Sequence, residues 1–91
     1  MTVFWTVPAE RELIDIWLYI AIDNPDAADR MAERLRTASQ PLAAHPRLGR
    51  TSRRAKTREL VVAGTNYILI YRIVKHGVEI LHVRDGRRDG I

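Results

Sequence analysis

The chain has 91 residues, 46% of them hydrophobic, no cysteine and a formal net charge of +4. That length allows one modest core in a single domain, and the missing thiols exclude disulfides, a thiolate zinc site and a cysteine nucleophile. No uncharged apolar run approaches the length of a membrane span, and the first residues lack the basic stretch and apolar core of a secretory signal, so a cytoplasmic location is the expectation.

Met1 to Val7 is a short β-prone run containing Val3, Phe4, Trp5 and Val7, closed by Pro8, which has no ladder donor. From Pro8 the period changes. Leu13, Ile16, Trp17 and Ile20 recur at helical spacing to about Asp23, and Pro8 suits a first helical turn. Asn24-Pro25 restarts the chain with a capping residue and a proline, and Asp26 and Asp29 sit near the positive end of the second helix. Its inner stripe is Ala28, Met31, Ala32 and Leu35, with Leu42 beyond, and the short link predicts an antiparallel helical hairpin. Pro41 either kinks that helix or opens a separate last turn, so its end is placed between Ser39 and Ala44.

Beyond a loop, Arg58 to Val62 is a strand candidate, Ala63-Gly64-Thr65 a turn, and Asn66 to Val74 a stronger strand. Lys75-His76-Gly77 is a tight turn with a glycine available for a positive φ, and Val78 to Arg84 returns as the hairpin partner. Asp85 to Ile91 reads as an open polar tail. The expected fold class is α+β, in the order β-α-α-β-β-β, with a helical hairpin packed on a small, mainly antiparallel sheet.

The charge is unevenly placed. Residues 1–46 carry four Arg against seven acids, a balance of −3, whereas residues 47–91 carry eleven Lys/Arg against four acids, a balance of +7. Arg47, Arg50, Arg53, Arg54, Lys56 and Arg58 follow one another without an acid. Such a run is either a surface for an anionic partner or a solvated basic loop. On the long strand, alternation puts Tyr67, Leu69, Tyr71 and Ile73 on one side and Ile68, Ile70, Arg72 and Val74 on the other. Two helices cover one face only, so the second is a candidate partner groove unless the sheet curls or another segment covers it.

The sequence carries a series of marks in order. Glu12-Leu13-Ile14-Asp15-Ile16-Trp17-Leu18-Tyr19-Ile20 precedes the Asn24-Pro25 break and an Ala-rich helix. Leu42, Pro46-Arg47-Leu48-Gly49-Arg50 and Arg58-Glu59-Leu60 follow. Tyr67 to Ile73 and Ile80-Leu81-His82-Val83-Arg84-Asp85-Gly86-Arg87-Arg88 complete them. Together they resemble the ParE/RelE family of toxins from bacterial toxin–antitoxin pairs, closer to the ParE branch. The resemblance implies a cognate antitoxin whose helical and extended C-terminal segment wraps the toxin in a hetero-oligomer. The expected antitoxin contacts are Trp17, Ile20, Arg58, Tyr67, Tyr71 and Arg72.

The family contains gyrase poisons and ribosome-dependent mRNA endonucleases. Cleavage at a ribose 2′-OH needs a base, an acid and cations for the charged phosphorane. RelE-like members resemble this in carrying Lys or Arg on the middle strands and an aromatic or His near the C-terminus. Here Ile68 stands where many have an Arg, and the final residues lack that Tyr or His. A nuclease would have to be built from Glu59 or His82 as base, with Arg58, Arg84 or Arg87 on the phosphate. The plainer alternatives are a surface ion pair of Glu59 with Arg58 and a locally satisfied His82. His45, His76 and His82 have no ligand spacing, so neither a metal nor a cofactor is expected. Arg84, Arg87 and Arg88 resemble the basic ending of ParE-like toxins, with Asp85 where a His is common. The function implied is binding and poisoning of DNA gyrase through these three arginines. An mRNA endonuclease and a non-toxic, antitoxin-binding co-repressor are the alternatives.

Overall fold

The computed structural model describes residues 1–54 and 56–89, with Arg88 and Asp89 described by backbone alone. β1 (Thr2–Trp5) leads into α1 (Val7–Ala21) and α2 (Pro25–Ser39). A 3₁₀ turn, Gln40–Ala43, follows before β2 (Arg50–Thr51), β3 (Arg58–Val61), β4 (Tyr67–Val74), β5 (Gly77–Asp85) and the single turn α3 (Gly86–Asp89). The five strands form one sheet in the order β1-β5-β4-β3-β2, antiparallel except where β1 runs parallel to β5. The expected α+β order and helical hairpin are therefore present.

Local chemistry explains the boundaries. Thr6 is extended and its hydroxyl accepts from the Ala9 N–H, so the helix begins at Val7, one residue before the proline. Asn24 caps α2 in the same way through Ala27. Pro41 falls in the first turn of the 3₁₀ segment, which makes that segment a separate last turn. Ala9 and Leu13 from α1, Ala28 and Leu35 from α2, and Leu42 are buried against Leu69, Tyr71, Val78, Ile80 and Val83 of the sheet.

Three expectations are corrected. Arg50–Thr51 is an additional strand that two polar residues could not announce; it extends the sheet by pairing with Arg58 and Glu59. The tail is not open from Asp85, since Asp85 ends β5 and residues 86–89 make a helical turn; Gly90 and Ile91 lie outside the described residues. Gly77 is not in a left-handed conformation. A Cβ there would collide with the Thr2 carbonyl and stand 2.9 Å from the Phe4 ring, so the glycine permits the close parallel approach of β1.

A β-bulge sets what faces outward. Ile70 pairs with His82 but Tyr71 with Ile80, leaving Leu81 as an extra residue. Val78 and Ile80 point into the core and, after the bulge, so does Val83, while His82 and Arg84 turn to the other face.

Candidate partner-binding surface

Among the described residues no element covers the sheet face away from the helices. Cross-strand pairing puts Arg50, Glu59, Ile70 and His82 in one row, and Val61, Ile68 and Arg84 in the next. Arg50, Ser52, Arg54, Glu59, His82 and Arg84 surround an open depression of about 280 Å³ floored by Ile68 and Ile70. β1 continues the sheet at its edge and does not fold over this face. Arg50 donates from Nε and Nη2 to Glu59 Oε1 at 3.1 and 3.0 Å, so the partner of Glu59 is Arg50 and not the adjacent Arg58.

Arg58 lies on the opposite face. Its register partner is the core residue Tyr71, and its guanidinium donates to the Gly49 carbonyl at 2.8 Å and to that of Arg47 at 3.5 Å. The nuclease set proposed from sequence is therefore divided: Glu59, His82 and Arg84 share one depression, and Arg58 does not reach it. The reason is the two-residue period of the strand, which sends neighbours to opposite sides.

His82 is engaged from another direction. β1 ends at Trp5, opposite Ile80, leaving the rest of β5 as an edge. Glu12 of α1 covers it: one carboxylate oxygen accepts the Val83 N–H at 3.0 Å and lies 3.1 Å from His82 Nδ1. This satisfies an edge donor beside the bulge, and Glu12 was not singled out from the sequence because only the fold brings it to β5.

A second groove, of about 710 Å³, runs between α1 and the end of β5. Glu12, Tyr19, Tyr67, Arg84, Asp85 and Arg87 are on its walls. Asp85 accepts from the backbone and guanidinium of Arg87, and its carboxylate raises the Arg87 guanidinium further above the ordinary arginine range. Arg84 and Arg87 are thus brought together at this groove; the side chain of Arg88 lies outside the described residues. α1 also leaves Ile14, Leu18 and Tyr19 exposed, as is Ile22 just beyond its end.

The expected antitoxin contacts are scattered. Trp17 and Ile20 are half-buried in the hairpin, and the Trp17 indole N–H donates to Asp29 Oδ1 at 2.8 Å. Tyr67 lines the α1–β5 groove, and Arg72 is exposed and paired with Glu79 at 2.7 Å. Tyr71 is a correction, being fully buried. Its phenol donates to the Pro46 carbonyl at 2.7 Å and accepts from the Gly49 N–H at 2.8 Å, so it anchors the start of the basic loop from inside. Among the described residues no group of three His, Asp or Glu could hold a metal ion, and no helix is long and apolar enough to cross a membrane.

Residues 3–90 match the model of the ParE toxin of the type II toxin-antitoxin system parDE. The chain belongs to the ParE toxin family. It is similar to a putative toxin, Y4kP, of Sinorhizobium fredii, at 49% identity over 87% of this chain and 81% of that protein. It is also similar to toxin RelE2 of Caulobacter vibrioides, at 41% identity over 94% of this chain and 96% of that one. Among solved structures, the chromosomal ParDE TA system from P. aeruginosa superposes with a TM-score of 0.84 over 93% of this chain and 95% of that one. At 23% identity this likeness concerns the fold. This member of the ParE family is thus a type II toxin-antitoxin toxin with a helical hairpin on one sheet face and a charged depression on the other.

Proposed function

We propose that this ParE-family chain acts by binding DNA gyrase and stalling it, and that a cognate antitoxin neutralises it by occupying the same side of the molecule. The observation that carries this reading is the end of β5, where Arg84 and Arg87 stand with Tyr19 and Tyr67 around the α1–β5 groove. Two guanidiniums beside two phenols suit recognition of an acidic, partly apolar protein surface. The antitoxin, by analogy with the ParDE assembly of the P. aeruginosa neighbour, would lay its C-terminal segment against the hairpin and this groove, meeting Trp17, Ile20, Tyr67 and Arg72. Tyr71 is left out of that set because it is buried.

An endonuclease reading is favoured by one observation: Glu59, His82 and Arg84 line a single depression. Against it, Glu59 is held by Arg50 and His82 faces Glu12, which among the described residues leaves no unengaged pair of acid and base in that depression. One paired experiment separates the two. Antitoxin-free protein is assayed for gyrase supercoiling with trapping of linear DNA, and the same preparation is assayed for cleavage of ribosome-loaded mRNA. Trapped linear DNA with intact mRNA, lost on R84A or R87A, is the expected result. Cut mRNA with normal supercoiling would replace it with the nuclease, and neither effect, with unimpaired growth on expression, would leave the co-repressor.

A further inference from the structure

The second half of β5 has an outer edge without a strand beside it. β1 pairs with β5 from Gly77 to Ile80 and stops at Trp5. Thr6 then donates its backbone N–H and its hydroxyl to the Ile80 carbonyl, and the chain leaves in α1. Beyond the bulge Val83 stands in register with Leu69, yet its N–H goes to Glu12 of α1 at 3.0 Å. Val83 is therefore a position whose backbone N–H and carbonyl turn away from β4, toward the groove between α1 and the end of β5. Among the described residues no strand lies on that side of it. An open edge of this kind is a template for another chain.

Glu12 holds the place that such a chain would take. Its Oε1 accepts the Val83 N–H and lies 3.1 Å from His82 Nδ1, where an added strand would set a backbone carbonyl. The Glu12 and His82 side chains are each about a third exposed, so both reach water when they part. The groove walls also select the charge of an occupant. Arg87 is tied to Asp85, whereas among the described residues the Arg84 guanidinium has no hydrogen-bonding or ionic partner. Ile16, Tyr19 and Tyr67 give the groove apolar and aromatic surface.

We propose that Glu12 is a displaceable plug on β5, and that an extended, acidic segment of a partner protein displaces it by adding a strand at Val83. The segment gives a carbonyl to the Val83 N–H, donates an N–H to the Val83 carbonyl and sets a carboxylate on Arg84. Glu12 and Asp15 on the α1 wall repel that carboxylate and keep it on the β5 side. This inference rests on the α1–β5 groove being a partner surface and adds the way the partner enters it.

Glu12 supplies a sign that a merely adhesive groove would not. In E12A the Val83 N–H loses its acceptor in the free protein and regains one from the added strand, so stability removed by the substitution returns as affinity. A change that weakens the fold thus tightens binding.

The test titrates the intact protein, followed by NMR, with the end-blocked peptide acetyl-Thr-Val-Asp-Val-Glu-Val-Thr-amide. E12A should bind it about tenfold more tightly than the wild type, and E12Q, which keeps an acceptor but loses the charge, by a smaller factor. R84A should weaken binding about tenfold, and K75A, in the turn at the other end of the β4–β5 hairpin, should leave it unchanged. Methylating alternate backbone nitrogens of the peptide should abolish binding in one phase and spare it in the other, because a strand pairs through one edge. The Val83 amide should exchange faster in free E12A and be protected again by the peptide. Thermal melting confirms folding of each variant, and E12Q carries the sign if E12A does not fold. Binding by E12A and E12Q no tighter than the wild type, indifference to both methylation phases, or a Val83 amide that the peptide leaves unprotected overturns the proposal. So does a peptide with Lys for both acids that binds as well, or no binding by any of the three proteins. The gyrase assay contains no peptide, so trapping lost in R84A beside a failed peptide test removes the strand mode alone. R84A without effect in both assays removes the groove reading itself.

Discussion

Replacing Tyr71 with Phe removes one oxygen and nothing else from the centre of the fold. The ring keeps its place among the buried residues of the sheet, so no large cavity forms. What changes is the pairing of two backbone groups: the Pro46 carbonyl loses a donor at 2.7 Å and the Gly49 N–H loses an acceptor at 2.8 Å. An unmet polar group in a dry interior costs about 1–3 kcal/mol. With some relaxation at the half-buried Pro46 side, the variant should be less stable by about 2–4 kcal/mol. A domain of this size has about 5–14 kcal/mol in total, so its Tm should fall by roughly 10–25 °C. Urea denaturation should show a lower midpoint at constant slope, and the Gly49 amide should exchange faster by hydrogen–deuterium exchange. Water cannot substitute easily, because Gly49 is itself buried and a Cβ there would stand 2.7 Å from both the Tyr71 hydroxyl and the Glu59 carbonyl. A loss below about 0.5 kcal/mol would refute the assignment of these two bonds as buried and structural.

Other consequences follow from the same geometry. G77A should destabilise severely or prevent folding, because the new methyl meets the Thr2 carbonyl; circular dichroism and β1 amide exchange report it. E12A should cost about 1–2 kcal/mol by exposing the Val83 N–H at the β5 edge, whereas E12Q, which keeps an acceptor, should lose less than half of that in the same denaturation assay. Hydrogen bonding to Arg36 holds the Glu10 carboxyl below its ordinary value. Its stabilisation is therefore present above the ordinary glutamate value and is lost as pH falls through the lower, folded one. Both partners are more than a third exposed, so the effect is at most about 0.5–1 kcal/mol; it should appear as a shallower acid limb for E10Q in stability against pH.

The elements themselves were legible from local chemistry. Thr6, Asn24 and the helical periodicity of Leu13, Leu35 and their neighbours act within a few residues, and so does the alternation of Tyr67 to Val74. These determined the helical hairpin, four of the five strands and the helical core positions Leu13, Ala28, Leu35 and Leu42, while the charge division between the halves left an anionic partner and a solvated basic loop as alternatives. The tertiary structure decided what those residues meet. Tyr71 reads as one more aromatic on a two-faced strand, and only the return of Pro46 and Gly49 across the sheet makes it a buried anchor. Arg58 and Glu59 are adjacent in the chain but the strand pleat sends them to opposite faces, and the unannounced strand Arg50–Thr51 then supplies the Glu59 partner. The bulge at Leu81 reverses the parity of β5, so that Val83 enters the core while His82 and Arg84 face outward. Register, bulges and edge coverage depend on contacts between residues tens of positions apart. Those contacts leave no periodic trace in the sequence, so only the fold determines which charges share a surface.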